Sequence, residues 1–276
     1  MAIAAIELQV PSGTLHGERR ESRYPDAPVL IALHAGVADS RSFNATFDLL
    51  EGVPTLVAYD RPGYGSSPLP DVEYDSVADL RIVLDRVAPA GAWLLGNSMG
   101  GRLALDLAVT TPERVAGLIL LSPGISGAPE KEFDETTARL FDADERAFEA
   151  GELDEVARIE AKIWLDGPDA AEGRVAGAAR DLALVMNTTA LACEAEAERL
   201  ERDPGIAAWD RLGRLAMPVT VACGLLDVPA VIAEGRAIAD RIPGARFAEL
   251  EDVAHLPSLE APERVAELVR RAVLAP

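Results

Sequence analysis

Cysteine, histidine and positive charge are all scarce in this chain, and each shortage closes off a class of function. Cys193 and Cys223 are its only cysteines. They show no Cys-x-x-Cys spacing, which argues against a disulfide framework and makes the cytoplasm the expected compartment. Cys223 falls inside an apolar run and reads as a small buried thiol. The three histidines, His16, His34 and His255, are dispersed and form no metal-binding cluster. Lysine and arginine number 26 against 46 acids, giving a net charge of −20 and a pI near 4.5. So acidic a surface disfavours nucleic acid and anionic membranes as partners. No apolar run approaches the ~20 residues needed to span a bilayer. The first residues, Met1 to Leu8, lack a basic region and meet Glu7 early. They read as a first strand rather than a signal peptide.

What is present is a 276-residue chain with 49% hydrophobic residues, enough for one large domain with an insertion. Its acids are interleaved with alanine and arginine, as on solvated helix faces. Up to Ser122, short apolar runs alternate with helical segments, the pattern of a mostly parallel sheet covered on both faces. The character changes after Pro123-Gly124. From about residue 128 to 212 no strand-like run occurs. Phe133, Leu140, Phe141, Phe148, Val156, Ile159, Ile163 and Trp164 recur there at mostly helical spacings. Breaks fall at Gly151, Gly167-Pro168 and Asp203-Pro204-Gly205. Several helices are expected, inserted between the sixth and seventh strands. The sheet resumes at Pro218-Val219, and a helix from about Pro262 to Val273 closes the chain.

The most informative residues are Gly96-Asn97-Ser98-Met99-Gly100. They read G-x-S-x-G, after the apolar run Ala92 to Leu95 and before the helical stretch Gly101 to Ala108. A strand, a sharp glycine-flanked turn and a helix is what a nucleophile elbow requires. The flanking glycines let strand and helix approach without Cβ clashes. A serine hydroxyl is a weak nucleophile alone, so it needs a base and the base needs an orienting carboxylate. His255 is the only histidine downstream of Ser98, on a loop after the strand-like run Ala245 to Leu250. Asp227 is the acid candidate, at the end of the strand-like run Val219 to Leu226. Asp252, close to His255 in sequence, is the alternative acid. His34 reads as structural, His16 as a surface residue, and Asp60 and Arg61 as residues that fix a turn.

The chain resembles the α/β-hydrolase family over nearly its whole length. Val29 to Gly36 looks like the family's third strand and the loop that bears an oxyanion donor. Tyr59 to Ser67 resembles its D-x-x-G-x-G-x-S turn. Val115 to Ser122 looks like the sixth strand, and Ala254 to Pro262 like the histidine loop. The order Ser98, Asp227, His255 is the order of that family. Two departures stand out: Ala35 follows His34 where glycine is usual, and Ala254 precedes His255 where glycine is usual. A positive φ at Ala35 would cost roughly 1 kcal/mol or more.

The resemblance implies an α/β fold with a mostly parallel eight-stranded sheet flanked by helices. Residues 1–123 and 213–276 would form the core, and residues 124–212 an inserted helical cap over a hydrophobic pocket, with Trp164 facing inward. It also implies a serine hydrolase acting on a small-molecule ester or lactone. Ser98 would attack, His255 would take the proton, Asp227 would orient the imidazole, and the N–H groups of Met99 and Gly36 would hold the oxyanion. His34 would brace the oxyanion loop. No cofactor or metal is implied, and a homo-oligomer stays open. Three other readings share the triad: a carbon–carbon bond hydrolase, a cofactor-free perhydrolase, and a ligand receptor with little turnover. The elbow Gly96 to Gly101 resembles the first of these. However, Leu256 stands where that subgroup places Trp, and its glycine-rich oxyanion loop is missing.

Overall fold

The computed structural model describes residues 3–50, 52 and 54–273. Met1 and Ala2 of the expected first strand, Glu51 and Val53 of the expected core, and its last residues 274–276 lie outside the described residues. Strands β1 (Ile3–Val10) and β2 (Gly13–Arg20) form an antiparallel hairpin. Next come β3 (Val29–Leu33), helix α1 (Asn44–Leu49), β4 (Thr55–Tyr59), α2 (Ser76–Val87), β5 (Ala92–Asn97), α3 (Met99–Thr110) and β6 (Val115–Leu121). Four helices then follow without a strand: α4 (Glu135–Glu149), α5 (Leu153–Glu160), α6 (Ala178–Leu191) and α7 (Glu194–Leu200). The sheet resumes with β7 (Val219–Gly224), α8 (Pro229–Arg241) and β8 (Arg246–Leu250). The short α9 (Pro257–Glu260) and the long α10 (Pro262–Val273) complete the described chain.

The eight strands form one sheet in the order β1-β2-β4-β3-β5-β6-β7-β8. β1, β2 and β4 pair antiparallel, and every pairing from β4 through β8 is parallel. Parallel strands buried on both faces need continuous apolar runs rather than alternation. β4 (Thr-Leu-Val-Ala-Tyr) is buried along its whole length, and β3 and β6 nearly so. Side chains of α2, α3 and α8, among them Leu80, Leu84, Leu105 and Ile238, pack one face of the sheet. Phe43 and Phe47 near the start of the chain, with Val265 and Val269 of α10, pack the other. β7 stops at Gly224, short of the expected Leu226. Leu225 and Leu226 lie in a turn and donate their N–H groups to Leu250 O at the end of β8 and to Val253 O just after it.

The helices between β6 and β7 carry a small core of their own. Val156, Ile159, Ile163 and Leu191 form it with Val228 and Val231 from the start of α8. Phe133 is exposed and stands outside this set. A second cluster joins Leu165, Ala183 and Met186 of the inserted segment to Ala35, Ala38 and Leu256. The segment is thus packed against the loops after β3 and β8. Among the described residues no helix is long and apolar enough to cross a membrane.

Candidate active site

Ser98 sits between β5 and α3 with φ +53 and ψ −113. A non-glycine residue in that region is strained by about 1–3 kcal/mol and persists only where its surroundings hold it. They do so through the backbone. Ser98 N–H donates to Leu121 O at 2.9 Å, and Ser98 O accepts from Arg102 N–H and Gly124 N–H, each at 3.0 Å. The turn has no room for side chains beside it. A Cβ on Gly96 would lie 2.5 Å from Gly100 O, and one on Gly100 would lie 2.0 Å from Leu33 O. Met99 opens α3, so its N–H belongs to the first turn and has no acceptor within the helix.

His255 and Asp227 are buried, and His255 Nδ1 lies 2.8 Å from Asp227 Oδ2. A carboxylate only accepts, so Nδ1 carries the proton and Nε2 is left as the basic nitrogen. The other oxygen, Asp227 Oδ1, accepts from Val228 N–H at 2.7 Å. Asp252, the alternative acid, is exposed with φ +57, and its carbonyl accepts from Arg174 at 2.9 Å.

A cavity of about 240 Å³ brings Ser98, Met99, Gly36 and His255 into one lining. Val37 and Tyr64 line it from the core. Glu160, Trp164, Asn187, Ala190, Leu191 and Glu194 line it from the inserted segment. The expected hydrophobic pocket is apolar only in part: Trp164, Ala190 and Leu191 supply apolar wall, while Glu160, Asn187 and Glu194 are polar. Trp164 does face inward, with its ring centroid 4.6 Å from that of His255. It lies in a π-helical turn, Ala161–Asp166, a local widening that often accompanies functional sites.

His34 is fully buried, and burial holds its imidazole well below the usual histidine range. Its Nδ1 donates to Ala35 O at 2.8 Å and its Nε2 accepts from Arg61 N–H at 3.0 Å, so the neutral ring ties the two loops together. Asp60 accepts from Ser40 N–H at 2.9 Å and from Ser66 N–H at 2.8 Å, which fixes the turn as expected. Ala35 is not among the residues with positive φ, so it carries no left-handed strain. His16 is half-buried, on β2, with Nδ1 4.0 Å from Glu7. Burial pushes the Cys223 thiol up to about 12, leaving it unreactive.

A family profile described as "Alpha/beta hydrolase family" matches residues 29–268. The chain belongs to the α/β-hydrolase family. A pimeloyl-[acyl-carrier protein] methyl ester esterase of Aeromonas salmonicida is 25% identical over 252 residues, covering 90% of this chain and 96% of that one. An esterase from Thermogutta terrifontis, solved with malate bound, superposes with a TM-score of 0.73 at 24% identity and 97% coverage of both chains. The enol-lactonase from Burkholderia xenovorans LB400 superposes at 0.74 with 21% identity, over 98% of this chain and 100% of that one. The protein is an enzyme with an eight-stranded, mostly parallel sheet.

Sequence reasoning missed the residues that hold the histidine loop of this α/β-hydrolase. Asn97, inside the elbow motif itself, donates Nδ2 to both Leu121 O and His255 O at 3.0 Å. His255 N–H donates to Trp164 O at 3.1 Å, a direct link to the inserted segment. The Glu260 side chain is buried, at 1% exposure, and accepts from the N–H groups on either side of His255, Ala254 at 2.8 Å and Leu256 at 3.0 Å. Arg174 of the inserted segment pairs with the same carboxylate. An acid that reaches back to the N-cap amide of a short helix does half the work of a capping box, but the N-cap is Leu256 rather than Ser or Thr, so no capping-box signature marks it in the sequence.

Proposed function

We propose that the protein is a serine hydrolase that cleaves a small-molecule carboxylic ester or lactone through an acyl-enzyme. The observation that carries this reading is the buried His255–Asp227 pair opening on the same cavity as an elbow serine. In this mechanism Ser98 Oγ attacks the carbonyl while His255 Nε2 takes its proton. Asp227 holds the imidazole in the Nδ1–H tautomer and stabilises the imidazolium. Met99 N–H, at the positive end of α3, and Gly36 N–H receive the oxyanion. Losing one such donor typically costs ~3 kcal/mol of transition-state stabilisation. His255 then protonates the leaving group, and water attacks the acyl-enzyme with the same histidine as base. No cofactor enters the cycle. Residues 124–212 act as the cap. They supply half of the cavity wall and exclude water from the reacting centre. Relatives matched over most of their length are named methyl ester esterases, so small-alcohol esters head the substrate panel.

The test is time-resolved release of p-nitrophenol from p-nitrophenyl acetate and butyrate. The expected result is linear release over many equivalents per chain. A single-equivalent burst with a lasting acyl adduct on Ser98 would instead mean a ligand receptor.

In the same mechanism Glu260 is a positioning residue for His255. Glu260→Gln places an amide against Arg174 and weakens charge-assisted hydrogen bonds worth about 1.5–3 kcal/mol each. The expected outcome is a fall of about tenfold in kcat with KM for p-nitrophenyl acetate little changed, since 1.4 kcal/mol is a factor of ten. A lowered Tm with unchanged kcat would assign Glu260 to stability alone.

A further inference from the structure

The two halves of the cavity wall differ in charge. The core half presents Gly36, Val37, Tyr64, Ser98, Met99 and His255, with no carboxylate and no lysine or arginine. The inserted half presents Glu160 at the end of α5 and Glu194 at the start of α7. Behind them stands Asp144 of α4, whose negative charge acts on both. One oxygen of Asp144 is buried and makes no hydrogen bond. Glu160 is held in place by Asn187, whose Nδ2 donates to Oε2 at 2.6 Å.

Among the described residues no cation pairs with these carboxyl groups. Their shifts arise from burial, from one another and from Glu198, with only the Asn187 amide opposing at Glu160. Arg61 stands behind the core half, stacked on Tyr64 at 4.4 Å and donating to Met99 Sδ and Ala35 O, and contributes to none of the three carboxyl shifts. The cations of the inserted segment are engaged elsewhere. Lys162 Nζ donates to the carbonyls of Gly167, Pro168 and Ala170 at 2.6, 2.9 and 2.7 Å. Arg158 pairs with Glu155 and Glu172, Arg180 with Asp166, and Arg174 with Glu260. Burial first, then repulsion from Asp144 and Glu194, raises Glu160 to about 8, while burial raises Asp144 to about 6. Withdrawing carboxyl groups from water beside one another is unfavourable, and a positive ligand charge relieves it. Trp164 stands in the same wall, and indole is the aromatic ring that attracts cations best.

We propose that Glu160, backed by Glu194 and Trp164, is the specificity-determining residue of this cavity and selects ester substrates that carry an ammonium-type cation away from the scissile bond. The proposal rests on the reading of Ser98 as an ester-cleaving nucleophile. It also sets an order among substrates: cationic esters first, neutral isosteres next, carboxylate-bearing esters last.

Two matched pairs test it, each a fixed cation against its uncharged tert-butyl isostere. On the alcohol side these are 2-(trimethylammonio)ethyl butyrate and 3,3-dimethylbutyl butyrate. On the acyl side they are the p-nitrophenyl esters of 4-(trimethylammonio)butanoate and 5,5-dimethylhexanoate. At pH 8.5 and low salt, the cation-to-neutral ratio of kcat/KM in one pair should fall at least tenfold from wild type to Glu160→Gln. Comparing enzymes with the same substrates cancels any intrinsic difference between the esters. Glu194→Gln should lower the ratio in the same direction and stands in if the first variant fails to fold. Calorimetric titration of Ser98→Ala with the trimethylammonio butyrate ester reads recognition without turnover, and adding Glu160→Gln should weaken binding at least tenfold. The proposal is overturned by ratios equal in wild type and variants, or by a wild-type preference for p-nitrophenyl hemisuccinate over the cationic ester. If no ester is turned over yet Ser98→Ala binds the cation through Glu160, the hydrolase reading fails and the cation site stands.

Discussion

Ser98→Ala is expected to remain folded while ester turnover drops to background. Removing the serine of a serine-protease triad lowers kcat by about 10⁶-fold, and a loss of that order is expected here. The fold should survive because the elbow is held by main chain rather than by the hydroxyl. The bonds from Ser98 N–H to Leu121 O, and from Arg102 and Gly124 to Ser98 O, are all available to alanine. Alanine also meets the same φ +53 that serine already tolerates, so the backbone strain is common to both. Circular dichroism and Tm should therefore be close to wild type, which separates a chemical loss from an unfolding loss. p-Nitrophenyl butyrate is a suitable substrate because its leaving group is detected directly. Near-wild-type hydrolysis by the purified variant would remove Ser98, and with it the acyl-enzyme, from the mechanism.

The parts of the molecule legible in the sequence are those where one local rule decides. The short, continuous apolar runs of β3, β4 and β6, alternating with helical segments, match strands buried on both faces, and they are. The elbow was readable because its glycines are demanded by contacts a few residues away in sequence, such as Gly96 against Gly100. The end of β7 was not readable. Leu225 and Leu226 are as apolar as the strand before them, and only the bond from Asp227 N–H back to Gly224 O shows that the chain has already turned. The cavity wall was the larger miss. Helical periodicity in the inserted segment correctly marked Val156, Ile159 and Ile163 as interior, but as the segment's own core. Beside the expected Trp164, and Ala190 and Leu191, the segment brings Glu160, Asn187 and Glu194 into the cavity wall, at the ends or on the polar sides of three different helices. Their meeting depends on how those helices pack, which no single helix encodes. Glu260 was hidden for the same reason: its ion-pair partner, Arg174, is 86 positions away.

Asp227→Asn is expected to cut turnover on the order of 10⁴-fold, the size seen when the triad aspartate of a serine protease is made neutral. The cause is the tautomer rather than lost geometry. Asp227 Oδ2 accepts the proton on His255 Nδ1 at 2.8 Å, while Oδ1 accepts from Val228 N–H at 2.7 Å. An asparagine can keep its oxygen on the Val228 amide only by turning its NH₂ towards Nδ1. That nitrogen must then accept, and the imidazole proton moves to Nε2, the position that has to receive the serine proton. Turning the amide the other way restores the tautomer but sets two donors against each other at Val228. Both groups are buried, so either arrangement leaves a polar contact that water cannot repair. Asp252→Asn offers the matching control. Its side chain is exposed, its contact with Arg174 is through the backbone carbonyl, and an asparagine accepts φ +57 readily. It should leave kcat/KM within about twofold of wild type, the scale of a surface change within ±0.5 kcal/mol. Measuring both variants on p-nitrophenyl butyrate across pH 6 to 9 decides between the two acids. A mild Asp227→Asn beside a crippled Asp252→Asn would transfer the role to Asp252 and require the histidine loop to rearrange before catalysis.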